Sequence, residues 1–234
     1  MSFIADLQAA NASIEKFKGA ITKHIKGELV SIELEDETIA RMFDQYSGID
    51  ALHVINGQVR GVALRCQWRN PRWSGVYPFN TFTIRHKRSS GAKTEYEKRM
   101  EAIYGGYGFF YPYLTIQAYF DDKSNPSEIL SFAIVKTEDM YGFVSTNIDN
   151  PSVISRRTVG EDGNEFLAVK FAALEEAGCK IITWDKRGET AFAVHRALPP
   201  LTIDGDRITV NTTGVNPFDG DDQPWFENDV VHGN

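Results

Sequence analysis

The chain has 234 residues, of which 42% are hydrophobic and 24% are charged, and its formal net charge is −7. These proportions are typical of a folded globular protein and argue against a disordered chain. No apolar run approaches the roughly 18 residues of a membrane span, and the first residues, MSFIADLQAANASIEKF, lack the apolar stretch of a signal peptide. The two cysteines are too far apart for a disulfide framework or a CxxC metal site. We therefore expect a cytoplasmic protein without a membrane segment.

The first part of the chain reads as a helix, a strand, a second helix and a hairpin. Apolar residues at spacings of three and four predict an amphipathic helix over residues 3–26. Partial alternation predicts a strand over 28–35, and Asp36 is a suitable cap for a helix over 37–46. The Asn56-Gly57 pair lies between two apolar runs, which predicts a hairpin joining strands 49–56 and 58–68.

The remaining elements complete an α/β pattern. The sequence predicts strands over 81–85, 113–120 and 129–136, with helices over 94–104 and from Thr137 onward. Short strands around a helix over 171–178 follow, and they end in a hairpin at Asp204-Gly205. We expect an α/β fold with a mixed central sheet and four segments: an N-terminal helix (1–26), a core (27–145), a C-terminal α+β extension packed on it (146–215) and an acidic flexible tail (216–234).

The order of elements from 37 to 120 is helix, three strands, helix and strand. Its anchors are Gly48-Ile49-Asp50 and, after the hairpin, Ala63-Leu64-Arg65-Cys66-Gln67. This arrangement resembles the αβββαβ, restriction-endonuclease-like core of the PD-(D/E)xK nuclease superfamily. In that superfamily an Asp near a strand start and an acid-x-Lys pair on the next strand meet at one sheet edge. The resemblance implies a metal-dependent hydrolase of phosphodiester bonds that uses Mg²⁺ or Mn²⁺.

The residues of this chain match that pattern only in part. Asp50 fits the first acid, but Arg65 stands where the second acid is expected and Gln67 stands where the Lys is expected. The resemblance implies that Asp50 and a second acid, Glu35 or Glu95, hold the metal ion. Gln67 would then position water or metal, and Arg65 would neutralise charge on the phosphate. Other replacements for the missing acid and Lys are Glu33, Asp44 and Lys87.

Positive charge is concentrated in one segment. Between Arg60 and Arg99 there are ten Lys and Arg residues and two acids, so the segment carries +8 while the rest of the chain carries −15. Aromatic residues lie among these cations, as in surfaces that bind phosphates and stacked bases. Thr94 and Glu97 predict a capping box at the start of the helix inside this segment. The residues expected to bind nucleic acid are Arg85, Lys87, Arg88, Lys93, Lys98 and Arg99.

These observations support three functional hypotheses. The first is a metal-dependent nuclease acting on nucleic acid, with DNA favoured over RNA. The second is a catalytically inactive nucleic-acid-binding or inhibitory protein of a phage or mobile element, which Arg65 at the acid position favours. The third is a protein-interaction factor whose acidic tail, 216–234, binds a protein partner.

Overall fold

A computed structural model describes residues 3–32, 47–69, 79–105, 111–159, 163–186, 201–204 and 207–210. Within these ranges, no helix has the length and hydropathy that crossing a membrane requires. The helices of this part of the chain are α1 (Phe3–Thr22), α2 (Glu95–Tyr104), α3 (Thr137–Asn147) and α4 (Phe171–Glu176). Its strands are β1 (Glu28–Ser31), β2 (Ala51–Ile55), β3 (Gln58–Trp68), β4 (Thr81–Lys87), β5 (Leu114–Phe120), β6 (Ile129–Lys136), β7 (Ile154–Val159), β8 (Asn164–Lys170), β9 (Ile181–Asp185), β10 (Leu201–Asp204) and β11 (Arg207–Val210).

The described strands form two main sheets and a separate hairpin. The central sheet has six strands in the order β1-β2-β3-β5-β6-β9, and the second sheet has three in the order β4-β8-β7. In the central sheet β3 and β5 run parallel, while its other neighbouring strands are antiparallel. This confirms an α/β fold with a mixed central sheet. The predicted C-terminal extension supplies β9 to the central sheet and β7 and β8 to the second sheet.

The predicted hairpin is formed by β2 and β3. Asn56 and Gly57 have φ values of 47° and 76°, and Ile55 pairs with Gln58 across the turn. Positive φ at both central residues is characteristic of the two-residue turn that an Asn-Gly sequence favours. Because β3 then pairs with β5 in parallel, the chain must cross over between them, and β4 and α2 belong to that crossover.

The third strand of the predicted core lies outside the central sheet. β4 pairs with β8, with Phe82 opposite Val169 and Ile84 opposite Leu167, and these four side chains are buried. Because β4 pairs with β8, these four side chains lie in one apolar core between the second sheet and the central sheet. The predicted helix 37–46 lies outside the described residues. A restriction-endonuclease-like core therefore stays a prediction.

Two apolar cores lie on the two faces of the central sheet. α1 covers one face, where Ile14 and Ile21 pack with alternate strand residues such as Leu64 and Ile116. The second sheet covers the other face together with α3 and α4, in a core that includes Tyr119. Alternation along β3 directs residues 62, 64 and 66 toward the first core, so Arg65 and Gln67 lie on the second-sheet side.

The β4 edge that faces away from β8 is closed by side chains rather than by another strand. Gln117 Oε1 accepts a hydrogen bond from the Thr83 N–H at 3.2 Å, and the Tyr119 hydroxyl donates to the Thr81 carbonyl at 2.6 Å. The Arg85 N–H donates to Glu95 at the start of α2. We call these three interactions the β4 edge contacts. They satisfy backbone groups that pairing with β8 cannot reach, and they attach the second sheet to the central sheet.

Replacing Gln117 by Leu should reveal the cost of losing one β4 edge contact. Gln117 is fully buried, also accepts from the Thr83 hydroxyl at 3.1 Å, and donates to the Arg65 carbonyl at 3.2 Å. The variant leaves these buried groups unsatisfied, so urea unfolding should show a loss of about 2–3 kcal/mol. The matched control Gln58→Leu, at the half-exposed start of β3, removes only one side-chain hydrogen bond, from Arg60, and should cost no more than about 1 kcal/mol. Equal small effects at both positions would contradict the proposed importance of this contact.

Candidate functional site

Asp50, Arg65 and Glu95 come together where the central sheet, the second sheet and α2 meet. Asp50 precedes β2, Arg65 lies in the middle of β3, and Glu95 is the first residue of α2. Arg65 Nη2 lies 2.6 Å from Glu95 Oε1, and Arg65 Nη1 lies 3.6 Å from Asp50 Oδ2. One guanidinium group therefore pairs with both carboxylates. We call this group of three residues the arginine–carboxylate cluster.

Both carboxylates also accept hydrogen bonds from the surrounding scaffold. Asp50 Oδ2 accepts from the Leu64 N–H at 2.7 Å, which ties the start of β2 to its hairpin partner. Glu95 Oε1 accepts from the Tyr141 hydroxyl of α3 at 3.2 Å, in addition to Arg65. Sequence reasoning missed Tyr141, because an apolar pattern alone does not distinguish a buried Tyr that packs from one that also donates.

Electrostatics in the cluster keep Arg65 and Glu95 charged. Burial alone raises the pKa of Glu95, but the charges of Arg65 and Arg99 and the hydrogen bonds from Arg65 and Arg85 outweigh it and hold this pKa below its usual range. Burial alone lowers the pKa of Arg65, and the Glu95 and Asp50 carboxylates raise it above its usual value. Burial, followed by the negative charge of Glu95, raises the pKa of the Tyr141 hydroxyl, which therefore remains a donor at neutral pH.

The structure corrects the prediction for Arg99. Its side chain is only 4% exposed, so it is not part of a surface that could bind nucleic acid. Arg99 Nη1 donates to the Ser47 carbonyl and Nη2 donates to the Gly48 carbonyl at 2.8 Å. Gly48 has a φ of +56°, and a Cβ there would collide with the Arg99 guanidinium. Arg99 is thus a structural residue that fixes the segment leading to Asp50.

Gln67 lies on the same face of β3 as Arg65. Its Nε2 donates to the Thr83 hydroxyl at 3.3 Å, so it faces β4 and the edge contacts. Thr83 also bonds to Gln117, another residue that sequence reasoning missed. A signal for Gln117 was present: it is an amide in the middle of the otherwise apolar run YLTIQAYF, and buried polar side chains require partners.

Asp50 and Glu95, the candidate metal ligands that the structure describes, both pair with Arg65. Asp50 Oδ2 and Glu95 Oε1 contact its guanidinium group, and donors from Leu64 and Tyr141 engage the same two oxygens. In the described ranges, no group of three or more His, Cys, Asp or Glu side chains could hold a metal ion. Glu35, Glu33 and Asp44 lie outside these ranges. The predicted Mg²⁺ or Mn²⁺ site, whose ligands include Glu35, therefore stays a prediction.

The other residues of the basic segment lie at or near the surface. Lys87, Lys93 and Lys98 are exposed, and Arg85 and Arg88 are half-buried. Lys93 pairs with Glu101 at 2.6 Å on the exposed side of α2. The predicted capping box is present: the Thr94 hydroxyl accepts from the Glu97 N–H, and the Glu97 carboxylate accepts from the Thr94 N–H.

The fold and the cluster define an α/β protein with two sheets joined at an arginine–carboxylate cluster. Comparisons with protein-family models, with curated proteins and with solved structures find no match. Any functional conclusion therefore depends on the chemistry of the described residues.

Replacing Arg65 by Met should destabilise the fold strongly. The variant leaves Asp50 and Glu95 without their shared counter-charge in a largely buried position. Chemical unfolding should show a loss of about 3 kcal/mol, the low end of the range for a broken buried pair, because a quarter of the Arg65 side chain is exposed. The control Lys93→Met removes one partner of an exposed pair and should cost less than about 1 kcal/mol. Similar losses in the two variants would contradict this view of the cluster.

The stability difference between the parent and Arg65→Met should depend on pH. The folded state lowers the pKa of Glu95, so the stabilisation from its pair with Arg65 is complete above the unfolded pKa of about 4.3 and is lost as pH falls through the folded value. In Arg65→Met, the burial of Glu95 without its cation favours the protonated carboxyl. Lowering the pH therefore costs the variant less stability than it costs the parent. Urea unfolding from pH 7 to pH 3 should show the difference shrinking as pH falls, first through the raised pKa of Glu95 in the variant and then below about pH 4.3, where the parent loses its stabilisation. A constant difference across this range would show that Glu95 is not the coupled group.

Proposed function

We propose that this protein binds nucleic acid through a basic face and does not cleave it with a metal ion. The basic face consists of the end of β4, the following turn and the exposed side of α2, with the side chains of Arg85, Lys87, Arg88, Lys93 and Lys98. The observation that carries the proposal is the charge of residues 85–88. Of their three cations, none forms a side-chain ion pair with a described residue.

The acids nearest to these cations are engaged elsewhere. Glu95 pairs with Arg65, and Glu165, which faces Lys87 across the second sheet, pairs with His86 at 2.8 Å and with Arg156 at 3.4 Å. The cations at the end of β4 therefore remain available to an external anion. A polyanion gains affinity from such a face because each neutralised phosphate releases condensed counterions.

The arginine–carboxylate cluster argues for binding without cleavage. A metal-dependent nuclease needs carboxylates that can ligate the ion, whereas the guanidinium of Arg65 already pairs with Asp50 and Glu95. The cluster instead fixes the start of α2 against β3 and β4, which holds the basic face rigid. Of the three hypotheses from the sequence, the inactive nucleic-acid-binding protein is thus the one that the cluster supports best.

Binding should be strong at low salt and fall steeply as salt rises. If four side chains of the basic face each neutralise one phosphate, Kd for a labelled 20-base-pair DNA duplex should rise about a hundredfold between 50 and 200 mM salt, as measured by fluorescence anisotropy. Lys87→Ala should weaken binding and reduce the salt slope by about 0.9. The control Lys18→Ala removes a cation of α1 that pairs with Glu15, away from this face, and should leave the slope unchanged. Absence of binding at 50 mM salt would refute the proposal.

No divalent ion should support cleavage. Incubation of labelled DNA and RNA with the protein and either Mg²⁺ or Mn²⁺ should leave both substrates intact, because Arg65 pairs with the candidate ligands Asp50 and Glu95. Substrate degradation that Asp50→Ala abolishes, with the variant still folded by circular dichroism, would restore the nuclease hypothesis.

A further inference from the structure

His86 lies where the end of β4 meets α2, the two elements that form most of the basic face. It is the extra residue of a β-bulge that separates Arg85 from Lys87 in the register with β8. Bulges redirect side chains at strand ends. Here the His86 ring packs edge-on against the ring of Tyr96 in α2, with 5.4 Å between the ring centres. An imidazole therefore lies among the cations of the proposed nucleic-acid interface.

The ring of His86 is held by a carboxylate on the neighbouring strand. His86 Nδ1 lies 2.8 Å from Glu165 Oε1 of β8. Because a carboxylate only accepts hydrogen bonds, Nδ1 carries the hydrogen of this bond. Glu165 is fixed in turn, since Arg156 of β7 contacts the same oxygen at 3.4 Å and also pairs with Asp149 at 2.8 Å. The second sheet thus determines how the imidazole ring is oriented.

The other ring nitrogen of His86 is accessible. The side chain is 23% exposed, and Nε2 is neither buried nor hydrogen-bonded to a described residue. In the neutral ring Nε2 is an acceptor, because Nδ1 already carries the hydrogen. Protonation turns Nε2 into an N–H donor and gives the ring a positive charge. The protonated ring can therefore donate to a phosphate oxygen, whereas the neutral ring cannot.

Several charged and titratable groups surround His86, and a bound anion changes their balance. They are Glu165 of β8, Arg156 of β7, Tyr96 and Glu97 of α2, and Arg85, Lys87 and Arg88 of β4 and the following turn. A phosphate beside the ring adds a negative charge, and a nearby negative charge favours the protonated form of a base. Binding of a phosphate and uptake of a proton by His86 are therefore linked.

We propose that His86 is a proton-dependent phosphate ligand of the basic face, whose protonated Nε2–H donates to a phosphate oxygen of bound nucleic acid. The inference rests on the proposed function, which supplies the phosphodiester. Glu165 acts through His86 and is a positioning residue, because it holds the ring by Nδ1 and leaves Nε2 to the ligand. Affinity is highest where the ring is protonated and falls as pH rises through the range of about 5 to 8 in which imidazoles titrate.

The pH dependence of DNA binding tests this ligand. At constant ionic strength, Kd of the parent for a labelled 20-base-pair duplex should be about tenfold lower at pH 6 than at pH 8, because protonation adds a charged hydrogen bond. His86→Gln should lose most of this difference and bind at pH 6 about as weakly as the parent does at pH 8. The matched control His24→Gln, which removes a ring packed on Phe132 in the core on the α1 side, should keep it. Equal pH dependence in the parent and His86→Gln would overturn the proposal.

A second variant separates the charge of His86 from its titration. His86→Lys carries a positive charge at both pH values, so it should bind more tightly than the parent at pH 8 and depend little on pH. It also keeps the proposal testable if His86→Gln does not fold, as judged by circular dichroism. Binding by His86→Lys at pH 8 that is no tighter than that of the parent would overturn the role of the charge.

Calorimetry of the parent measures the linked proton directly and needs no variant. DNA binding at pH 7 in two buffers of different ionisation enthalpy should show that the complex takes up protons from the buffer, because the protonated ring is the form that binds. Absence of proton uptake would overturn the proposal.

These measurements distinguish the failure of this inference from the failure of the proposed function. DNA binding whose pH dependence is the same with and without His86 would remove His86 from the interface and leave nucleic-acid binding intact. Absence of DNA binding by the parent at both pH 6 and pH 8 in 50 mM salt would refute the proposed function, and with it the ligand assigned to His86.

Discussion

The described architecture depends on how the open edge of β4 is closed. A strand that pairs on one side only leaves backbone donors and acceptors on the other, and burying them without partners is costly. Gln117 and Tyr119 of β5 and Glu95 of α2 provide those partners. Side chains of the central sheet thereby replace a neighbouring strand. This is why the second sheet can pack at the crossover between two parallel strands without joining their sheet.

The same constraint determines the chemistry of the arginine–carboxylate cluster. An ionised Glu95 is the stronger acceptor for the Arg85 N–H, and a largely buried carboxylate stays ionised when cations and donors outweigh the effect of burial. Arg65 provides that cation from β3 and pairs with Asp50 at the same time. A metal ion would compete with Arg65 for the carboxylates that stabilise the junction. The structural role of Glu95 is thus the physical reason why this carboxylate pairs with Arg65.

Local signals predicted the local structure, and the remainder depended on tertiary packing. The Asn56-Gly57 turn, the strand Gln58–Trp68 and the Thr94 cap follow from short-range backbone chemistry, and all three are present.

The strand with which β4 pairs could not be predicted from the sequence, because the alternation of apolar residues in β4 fits either sheet equally well. The burial of Arg99 did not follow either, since an Arg on a charged helix is normally exposed, and only the nearby Ser47 and Gly48 carbonyls make its burial possible. Asp50, Arg65, Gln67 and Glu95 were predicted as catalytic residues, with Glu35 or Glu95 as the second acid, but the pairing of Arg65 with Asp50 and Glu95 depends on distances that the sequence does not contain.

Charge balance connects the cluster to the basic face. Arg65 and Arg99 place two cations in the buried region, where both interact with the Asp50 and Glu95 carboxyl groups. A third cation in this buried region would have no carboxylate to pair with. Arg85 lies at the margin of the region, and its backbone N–H, not its guanidinium group, bonds to Glu95. Arg85 and Arg88 are half-buried at this margin, and neither forms a side-chain ion pair with a described carboxylate, so solvent or an external anion must screen their charges. The buried charges thus pair with one another, while the cations at the margin are the ones that the proposed nucleic-acid binding uses.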